Sequence, residues 1–183
     1  MHIFSFLLLM VALPPWGQIR AQKSEQPRFT IHSQNKDRVL HGTISVPTSR
    51  DTLWSVLVDY DRLSNFMPHL EHSRRLNSGN PILLEQVSMQ KFLFFKKRTR
   101  IVLQVTEHPP DSISFSLQEG DFKIYRGAWV LQDEKPVLLQ LNLCVRPDFY
   151  VPRFVLNHIV KNSGTQSLIS VRAEAIRRQA SNP

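Results

Sequence analysis

Few residues in this sequence have the types and spacing that metal binding or nucleophilic catalysis requires. His69 and His72 are the only close pair among seven histidines, and Cys144 is the single cysteine. Two histidines without a cysteine or glutamate partner do not define a zinc site, so we expect both to face solvent. Cys144 lies between Leu143 and Val145, a setting typical of a small packing residue rather than a nucleophile. The sequence therefore predicts no metal site and no cofactor.

General acid–base chemistry is the remaining catalytic alternative. A polar side chain would act as acid or base, with its pKa moved by burial. The candidates are Tyr125, Arg126 and His158. No segment supplies a paired acid and base, and neither a nucleophile elbow nor a phosphate-binding or dinucleotide-binding glycine motif is present. An enzyme is therefore the second hypothesis, behind a protein that does not catalyse a reaction.

Residues 91–100, KFLFFKKRTR, combine five basic residues with three phenylalanines and no acidic residue. Such a segment can insert rings at a membrane interface while its cations meet anionic head groups. The alternative is an ordinary strand pair with its rings inward and its cations in solvent. Nucleic acid is disfavoured, because no nucleic-acid-binding motif appears elsewhere and the chain carries an export signal. The residues predicted to contact a membrane are Phe94, Phe95, Lys96, Lys97 and Arg98.

The N-terminal segment predicts export. An apolar run at residues 3–13 is followed by two prolines and then Ala21, as in a secretory signal peptide. We interpret residues 1–21 as a signal peptide or an uncleaved anchor, which places the protein in a periplasm, a lumen or the extracellular space. Residues 22–37 are polar and poorly periodic, and they predict a flexible linker. The folded domain is then residues 38–180.

Composition indicates one globular domain. The chain has 183 residues, of which 42% are hydrophobic and 21% charged, too apolar for a disordered chain. No stretch of about 18 apolar residues occurs, so no ordinary internal membrane span is predicted. A single cysteine excludes an internal disulfide. We expect a monomer whose core is large enough to contain a ligand cavity.

The order of predicted elements indicates an α+β fold. Residues 39–46 alternate as a half-buried strand, and Thr48–Asp51 resemble a capping box that opens a short helix. A second helical turn ends before Pro68. About six strands of period two follow, separated by short turns, and form an antiparallel meander with one buried face. Residues 153–178 form a long amphipathic helix, in which Gly164 predicts a bend or hinge.

This order resembles the polyketide cyclase/dehydrase branch of the START-like, helix-grip (SRPBCC) superfamily, which includes coenzyme Q-binding proteins. The resemblance rests on four local matches. They are WSVLVDYD at residues 54–61 with Leu63, Phe66 and Pro68; the turn at residues 119–121; Gly127 with Trp129; and the helix opened by Pro152 that contains residues 171–173. It implies a curved antiparallel sheet of about six to seven strands wrapped around a long C-terminal helix, with two short helices after the first strand.

The resemblance also implies a deep apolar cavity between sheet and C-terminal helix. Relatives use that cavity to bind lipids, quinones or polyketides, and the family has no shared catalytic constellation. A cavity of about 300 to 1,000 Å³ would suit such a ligand, and a solid core is the structural alternative. The aromatic, methionine and aliphatic residues expected to line it are Trp54, Phe66, Met67, Met89, Phe115, Trp129, Leu141, Val155 and Ile159.

The sequence therefore predicts a protein that binds a hydrophobic small molecule and shields it from water. A lipid, an isoprenoid and a quinone all fit this description. A cyclase or dehydratase acting on a polyketide-like substrate in the same cavity is the alternative.

Overall fold

A computed structural model of the protein describes residues 26–181. The predicted signal peptide or anchor at residues 1–21 lies outside the described residues. The elements, in chain order, are β1 (Arg28–Gln34), β2 (Asp37–Val46), α1 (Arg50–Leu57), a 3₁₀ helix (Tyr60–Asn65), β3 (Leu70–Arg75), β4 (Ile82–Phe92), β5 (Phe95–His108), β6 (Ser112–Gly120), β7 (Phe122–Gln132), β8 (Val137–Pro147) and α2 (Arg153–Ser181).

The strands of the described residues form one antiparallel sheet with the order β1-β2-β8-β7-β6-β5-β4-β3. Strands β3 to β8 follow one another as hairpins, as the meander predicts. The chain crosses from β2 to the far edge of the sheet through α1 and the 3₁₀ helix. The curved sheet and the long helix α2 confirm the predicted α+β helix-grip architecture.

One detail of that prediction is wrong. The sheet has eight strands in the described residues, not six or seven. The additional strand is β1, which occupies part of the segment predicted as a flexible linker and pairs with β2 from Arg28 to Gln34. Only Phe29 and Ile31 give β1 an apolar face, and both pack against the core. Two apolar residues are too few for a period to be read from the sequence.

Proline, glycine and aspartate mark the strand boundaries where the sequence predicts them. Turns at residues 77–81, 109–111 and 133–136 fall between consecutive strands, and β6 gives way to β7 at Asp121. The α1 helix begins one residue later than the Thr48 interpretation requires. Ser49 is its N-cap, and its side chain accepts a hydrogen bond of 3.1 Å from the Thr52 N–H.

Gly164 does not interrupt α2, which is continuous from Arg153 to Ser181. The helix is therefore unbroken at Gly164, and a bend there stays a prediction. A Cβ atom at Gly164 would lie 2.9 Å from the Leu40 Cδ2 atom of β2. The missing side chain allows α2 to cross the sheet closely at this point.

The core lies between α2 and the concave face of the sheet. Strands β2, β5 and β8 contribute fully buried aliphatic side chains, including Leu40, Val105 and Leu139, and α2 contributes Leu168 and Val171. Neither helix in the described part of the chain is long and apolar enough to cross a membrane.

Candidate functional site

A hollow of about 150 Å³ lies beneath α2 on the concave face of the sheet. Its floor comes from β4 to β8, one wall from α2, and another from the 3₁₀ helix and the connection to β3. The lining residues are Leu57, Tyr60, Leu63, Met67, Pro68, Leu70, Leu84, Gln86, Ser88, Gln90, Leu103, Val105, Ile113, Phe115, Tyr125, Trp129, Leu141, Leu143, Ser163, Gly164 and Ser167.

A second hollow of about 100 Å³ adjoins the first toward the start of α2. It is bounded by β4, β5, β7, β8, the β8–α2 connection and the first turns of α2. The residues that line both hollows are Ser88, Gln90, Tyr125, Leu143 and Ser163. The two hollows are therefore neighbouring compartments of one interior space.

The cavity is smaller than the resemblance implies. A cavity of about 150 Å³ holds a molecule of benzene size, whereas sites for drug-sized ligands begin at about 300 Å³. Leu103, Leu141 and Trp129 occupy part of the space that the alternating strands enclose. Tyr125 contributes to the lining of both compartments. The interior is thus neither a solid core nor the single large cavity that we expected.

Tyr125 is the tyrosine that lines both hollows. Its ring centroid lies 6.0 Å from that of Phe115 and 5.2 Å from that of Phe122. Burial raises the pKa of Tyr125 to about 12, so the hydroxyl keeps its proton at neutral pH. Within residues 26–181 the Tyr125 hydroxyl makes no hydrogen bond, although it lines both compartments.

A strip of neutral polar side chains runs along one side of the hollows. Gln86, Ser88 and Gln90 of β4 alternate along the strand with residues that face outward, and Ser163 and Ser167 approach from α2. Ser163 Oγ donates a hydrogen bond of 3.3 Å to Gln90 Oε1. We call these five residues the polar strip.

The polar strip was missed by the sequence interpretation. Its signal is the phase of β4: Ile82 and Leu84 are buried, so every second residue after Leu84 must share their face of the sheet. That phase predicts Gln86, Ser88 and Gln90 as inward residues. A search for apolar side chains alone passes over them.

Tyr60 is the second tyrosine at the larger hollow. Its hydroxyl donates a hydrogen bond of 2.7 Å to Glu107 Oε1. Burial, together with this hydrogen bond, raises the pKa of Tyr60 above its ordinary value. Tyr60 is therefore a neutral phenol, like Tyr125, but its proton is already engaged within the protein.

The structure places five of the nine predicted wall residues at the hollows. Met67, Phe115, Trp129 and Leu141 line the larger hollow, and Ile159 lines the smaller one. Contact of these residues with a ligand stays a prediction.

The other four predicted wall residues do not line either hollow. Met89 lies between Ser88 and Gln90 on β4 and so faces the opposite side of the sheet. Trp54 packs against the core from α1, and Val155 is a buried residue of the first turn of α2. Phe66 lies at an outer cleft formed with the end of α2. Their apolar character is used in packing, which sequence alone does not distinguish from a cavity wall.

Only one of the three acid–base candidates faces the interior. Arg126 follows Tyr125 on β7, so it projects to the opposite face of the sheet, where it is exposed. It borders an open groove there with Asn142 and Cys144. His158 is exposed on α2. Arg126 and His158 are therefore in the wrong place to act on a molecule inside the hollows.

The basic segment forms the hairpin between β4 and β5, with Leu93 and Phe94 at its tip. Their exposed fractions are 76% and 102%, so Leu93 lies mostly and Phe94 fully in solvent. Lys96 is also exposed. The side chain of Phe95 lies outside the described residues.

Lys97 and Arg98 have partners within the protein. Lys97 Nζ lies 4.8 Å from the centroid of the Phe149 ring, and Arg98 Nε donates a hydrogen bond of 2.8 Å to Glu71 Oε2. The Lys97 contact brings the hairpin beside the β8–α2 connection. Tyr150 and Phe154, which are 86% and 64% exposed, lie at this same end. We call Leu93, Phe94, Tyr150 and Phe154 the apolar rim.

The described residues contain no group of three or more His, Cys, Asp or Glu side chains that could hold a metal ion. His69 and His72 are both exposed, as expected. The lining of the two hollows is instead suited to contact with an apolar molecule.

The fold, the hollow and the sequence together identify the family. Residues 46–169 match the model of the polyketide cyclase / dehydrase and lipid transport family. The chain belongs to this family. The START-like resemblance is confirmed, whereas membership of the coenzyme Q-binding branch stays a prediction. The chain matches no curated protein sequence.

Solved structures with low sequence identity share the fold. A START superfamily protein from Mycobacterium smegmatis has a TM-score of 0.66 at 18% identity, over 76% of this chain and 98% of its own. The Zhui aromatase/cyclase from Streptomyces sp. R1128 has a TM-score of 0.64 at 17% identity, over 78% and 95%. A STAR-related lipid transfer protein from Xanthomonas axonopodis has a TM-score of 0.60 at 13% identity, over 80% and 98%.

Proposed function

We propose that the protein binds a hydrophobic small molecule in the hollows beneath α2 and shields it from water. The observation that carries this proposal is an interior space whose lining is mostly aliphatic and aromatic. Each Å² of apolar ligand surface removed from water contributes about 25 cal/mol, before the cost of ordering the ligand. The names of the STAR-related lipid transfer protein and of the family model support the same conclusion.

The volume favours a compact ligand. A ring compound such as a quinone head group, or a short isoprenoid, suits the two compartments better than a long lipid chain does. A larger occupant requires the Tyr125 ring to move or α2 to shift away from the sheet. The volume therefore favours a quinone or a short isoprenoid over a long-chain lipid.

Binding accounts for the lining better than catalysis does. Tyr60 and Tyr125 are the only titratable side chains among the residues of the larger hollow. Both pKa values are raised, so neither phenol ionises near neutral pH. A cyclase acting on a polyketide-like substrate is the alternative, and it is favoured by the name of the Zhui aromatase/cyclase. Turnover of such a substrate by the purified protein would replace the binding proposal.

Organic-solvent extraction of the purified full chain, followed by mass spectrometry, tests the proposal. We expect a co-purifying apolar molecule with the wild-type protein. Replacing Ser167 by Leu should fill the larger hollow and remove that molecule. Lys161→Leu adds a leucine to the exposed side of the same helix and should retain it. A molecule retained equally by both variants, or absent from the wild type with no uptake of apolar probes, would contradict the proposal.

We further propose that the hairpin between β4 and β5 docks on an anionic membrane surface. The apolar rim offers rings for insertion between lipids, and Lys91 and Lys96 supply exposed positive charge beside it. The smaller hollow lies behind this end, since Lys97 and Phe149 both line it. Docking would thus bring the interior space close to the lipid from which a ligand is taken.

We also propose that the protein is exported. The proposal rests on the apolar run at residues 3–13 and the small residue Ala21. N-terminal sequencing of protein recovered from the producing cell tests it. A chain beginning at residue 22 indicates cleavage, a membrane-bound intact chain indicates the anchor, and a free intact chain in the cytoplasm would contradict export.

A further inference from the structure

Several polar side chains that line the hollows have no hydrogen-bond partner among the residues that the structure describes, and a ligand made only of hydrocarbon would not bond to them. Tyr125 lines both compartments without a hydrogen-bond partner in the described residues. Gln86, Ser88 and Ser167 of the polar strip likewise show no side-chain hydrogen bond in that part of the chain, while Gln90 and Ser163 bond to each other. These side chains are only partly buried, so their polar groups are open to the hollow and can bond to an occupant of it.

The charge of the lining restricts that occupant. No charged side chain is among the residues that line the larger hollow. Lys97 is the charged residue of the smaller hollow, and its ammonium group already lies against the Phe149 ring. In the larger hollow an anionic or cationic ligand group would be desolvated without a counter-charge, at a cost that apolar burial does not offset. The part of the ligand that occupies the larger hollow must therefore be neutral.

The Tyr125 hydroxyl defines which neutral group is required. Its ring is held between Phe115 and Phe122, so the hydroxyl has limited freedom to find a partner elsewhere. Because the phenol keeps its proton, it presents an O–H donor. The complementary group is an oxygen acceptor, such as a ketone, quinone or ester carbonyl, surrounded by apolar atoms.

We propose that the hollows select a neutral ligand with a carbonyl-type oxygen, which accepts a hydrogen bond from the Tyr125 hydroxyl at the junction of the two compartments. This inference rests on the proposed function and adds the chemical class of the ligand. The polar strip opposite Tyr125 then contacts any further hydroxyl or carbonyl group of that ligand.

Three probes of one shape test the inference: acetophenone, α-methylstyrene and benzoate. Acetophenone carries a carbonyl where α-methylstyrene carries a methylene group, and benzoate carries a negative charge. Dissociation constants are measured by titrating the full chain and following its amide NMR signals. We expect acetophenone and α-methylstyrene to bind at neutral pH and benzoate to bind at least tenfold more weakly than acetophenone.

Tyr125→Phe removes the donor and keeps the ring. We expect it to weaken acetophenone binding about tenfold and to change α-methylstyrene binding less than twofold. Tyr150→Phe is the matched control: it also removes a phenol oxygen, but its side chain is 86% exposed and lines neither hollow. It should leave the binding of both probes unchanged.

The outcomes separate the inference from the proposed function. If Tyr125→Phe weakens both probes equally, or neither, or if benzoate binds as well as acetophenone, the neutral-acceptor inference is wrong while hydrophobic binding stands. If the wild-type protein binds none of the three probes and yields no extracted molecule, the proposed function fails and the inference fails with it.

Discussion

Leu40 Cδ2 lies 2.9 Å from the position that a Cβ atom would take at Gly164. Leu40 belongs to β2 and is completely buried, so its side chain cannot swing away into solvent. The contact fixes how closely α2 approaches the sheet. It also fixes one boundary of the larger hollow, because Gly164 lines that hollow.

Gly164→Ala should therefore destabilise the protein, although alanine favours a helix by about 1 kcal/mol over glycine. Overpacking against Leu40 costs about 1–3 kcal/mol, so we expect a net loss of about 1 kcal/mol. Chemical denaturation measures it. Gly79→Ala is the control, since a Cβ atom there meets only Asn77 at 3.5 Å. A Gly164→Ala protein more stable than wild type would contradict the packing argument.

The free energy of unfolding at acidic pH should depend on Glu174. Hydrogen bonds from Arg177 and then Arg178 lower the pKa of Glu174 from its ordinary 4.5 to about 2. A lowered folded-state pKa means that Glu174 contributes its full stabilisation above about pH 4.5 and loses it as the pH falls toward 2. Because Arg177 is 66% exposed, solvent screening limits the contribution to about 1 kcal/mol.

Glu174→Gln should lower the free energy of unfolding by about that amount at pH 6 and flatten the profile below pH 4.5. Thermal unfolding across the acidic range provides the measurement. Glu134→Gln is the matched control, because Glu134 has no ion pair among residues 26–181. If the two substitutions change the free energy of unfolding equally, the ion pairs of Glu174 do not cause the loss of stability at low pH.

Substitutions at Ser88 and at its neighbour Met89 on β4 should have different effects on ligand binding. Ser88 lines both hollows, whereas Met89 faces the other side of the sheet. We expect Ser88→Leu to obstruct the junction and reduce acetophenone binding about tenfold or more. Met89→Leu conserves volume on the opposite face and should leave binding intact. NMR titration of both variants checks this, and the reverse result would place β4 in the wrong register.

Phe94 should dominate membrane docking. Its side chain is fully exposed, and transferring it into an interface is worth enough to change vesicle binding about tenfold. Phe94→Ala is compared with Leu76→Ala, which removes another exposed apolar side chain at the opposite end of β4. Co-sedimentation with vesicles of phosphatidylserine and phosphatidylcholine gives the readout. The docking proposal fails if the two substitutions weaken binding equally or the wild type stays in solution.

The fold was more accessible to sequence reasoning than the site was. Turn residues and the period of apolar side chains locate β2 to β8 and α2, because hydrophobic periodicity reflects burial directly. Strand β1 could not be predicted, because its two inward apolar residues, Phe29 and Ile31, are too few to define a period. A glycine inside a helix predicts a weak point, and the sequence does not reveal that Gly164 packs against Leu40.

The candidate site could not be predicted from the periodicity of the sequence alone, because it depends on how side chains pack in three dimensions. An apolar side chain in the correct phase, such as Leu141, can be predicted to face inward. Whether it packs, as Trp54 does, or lines a hollow depends on the volumes of all its neighbours. The polar strip could have been predicted from the phase of β4, but the solitary hydroxyl of Tyr125 becomes visible only when its surroundings are known.

Because the lining of the larger hollow is uncharged, salt should affect membrane docking and ligand binding differently. Added electrolyte screens the attraction between Lys96 and an anionic bilayer over about 10 Å at 0.1 M, yet leaves contacts with a neutral guest almost unaffected. Raising ionic strength would then weaken the Lys96 contribution to docking, while the Phe94 contribution and the bound neutral ligand would be retained. Under the proposed function, salt would therefore change the affinity for a membrane while leaving the affinity for the ligand unchanged.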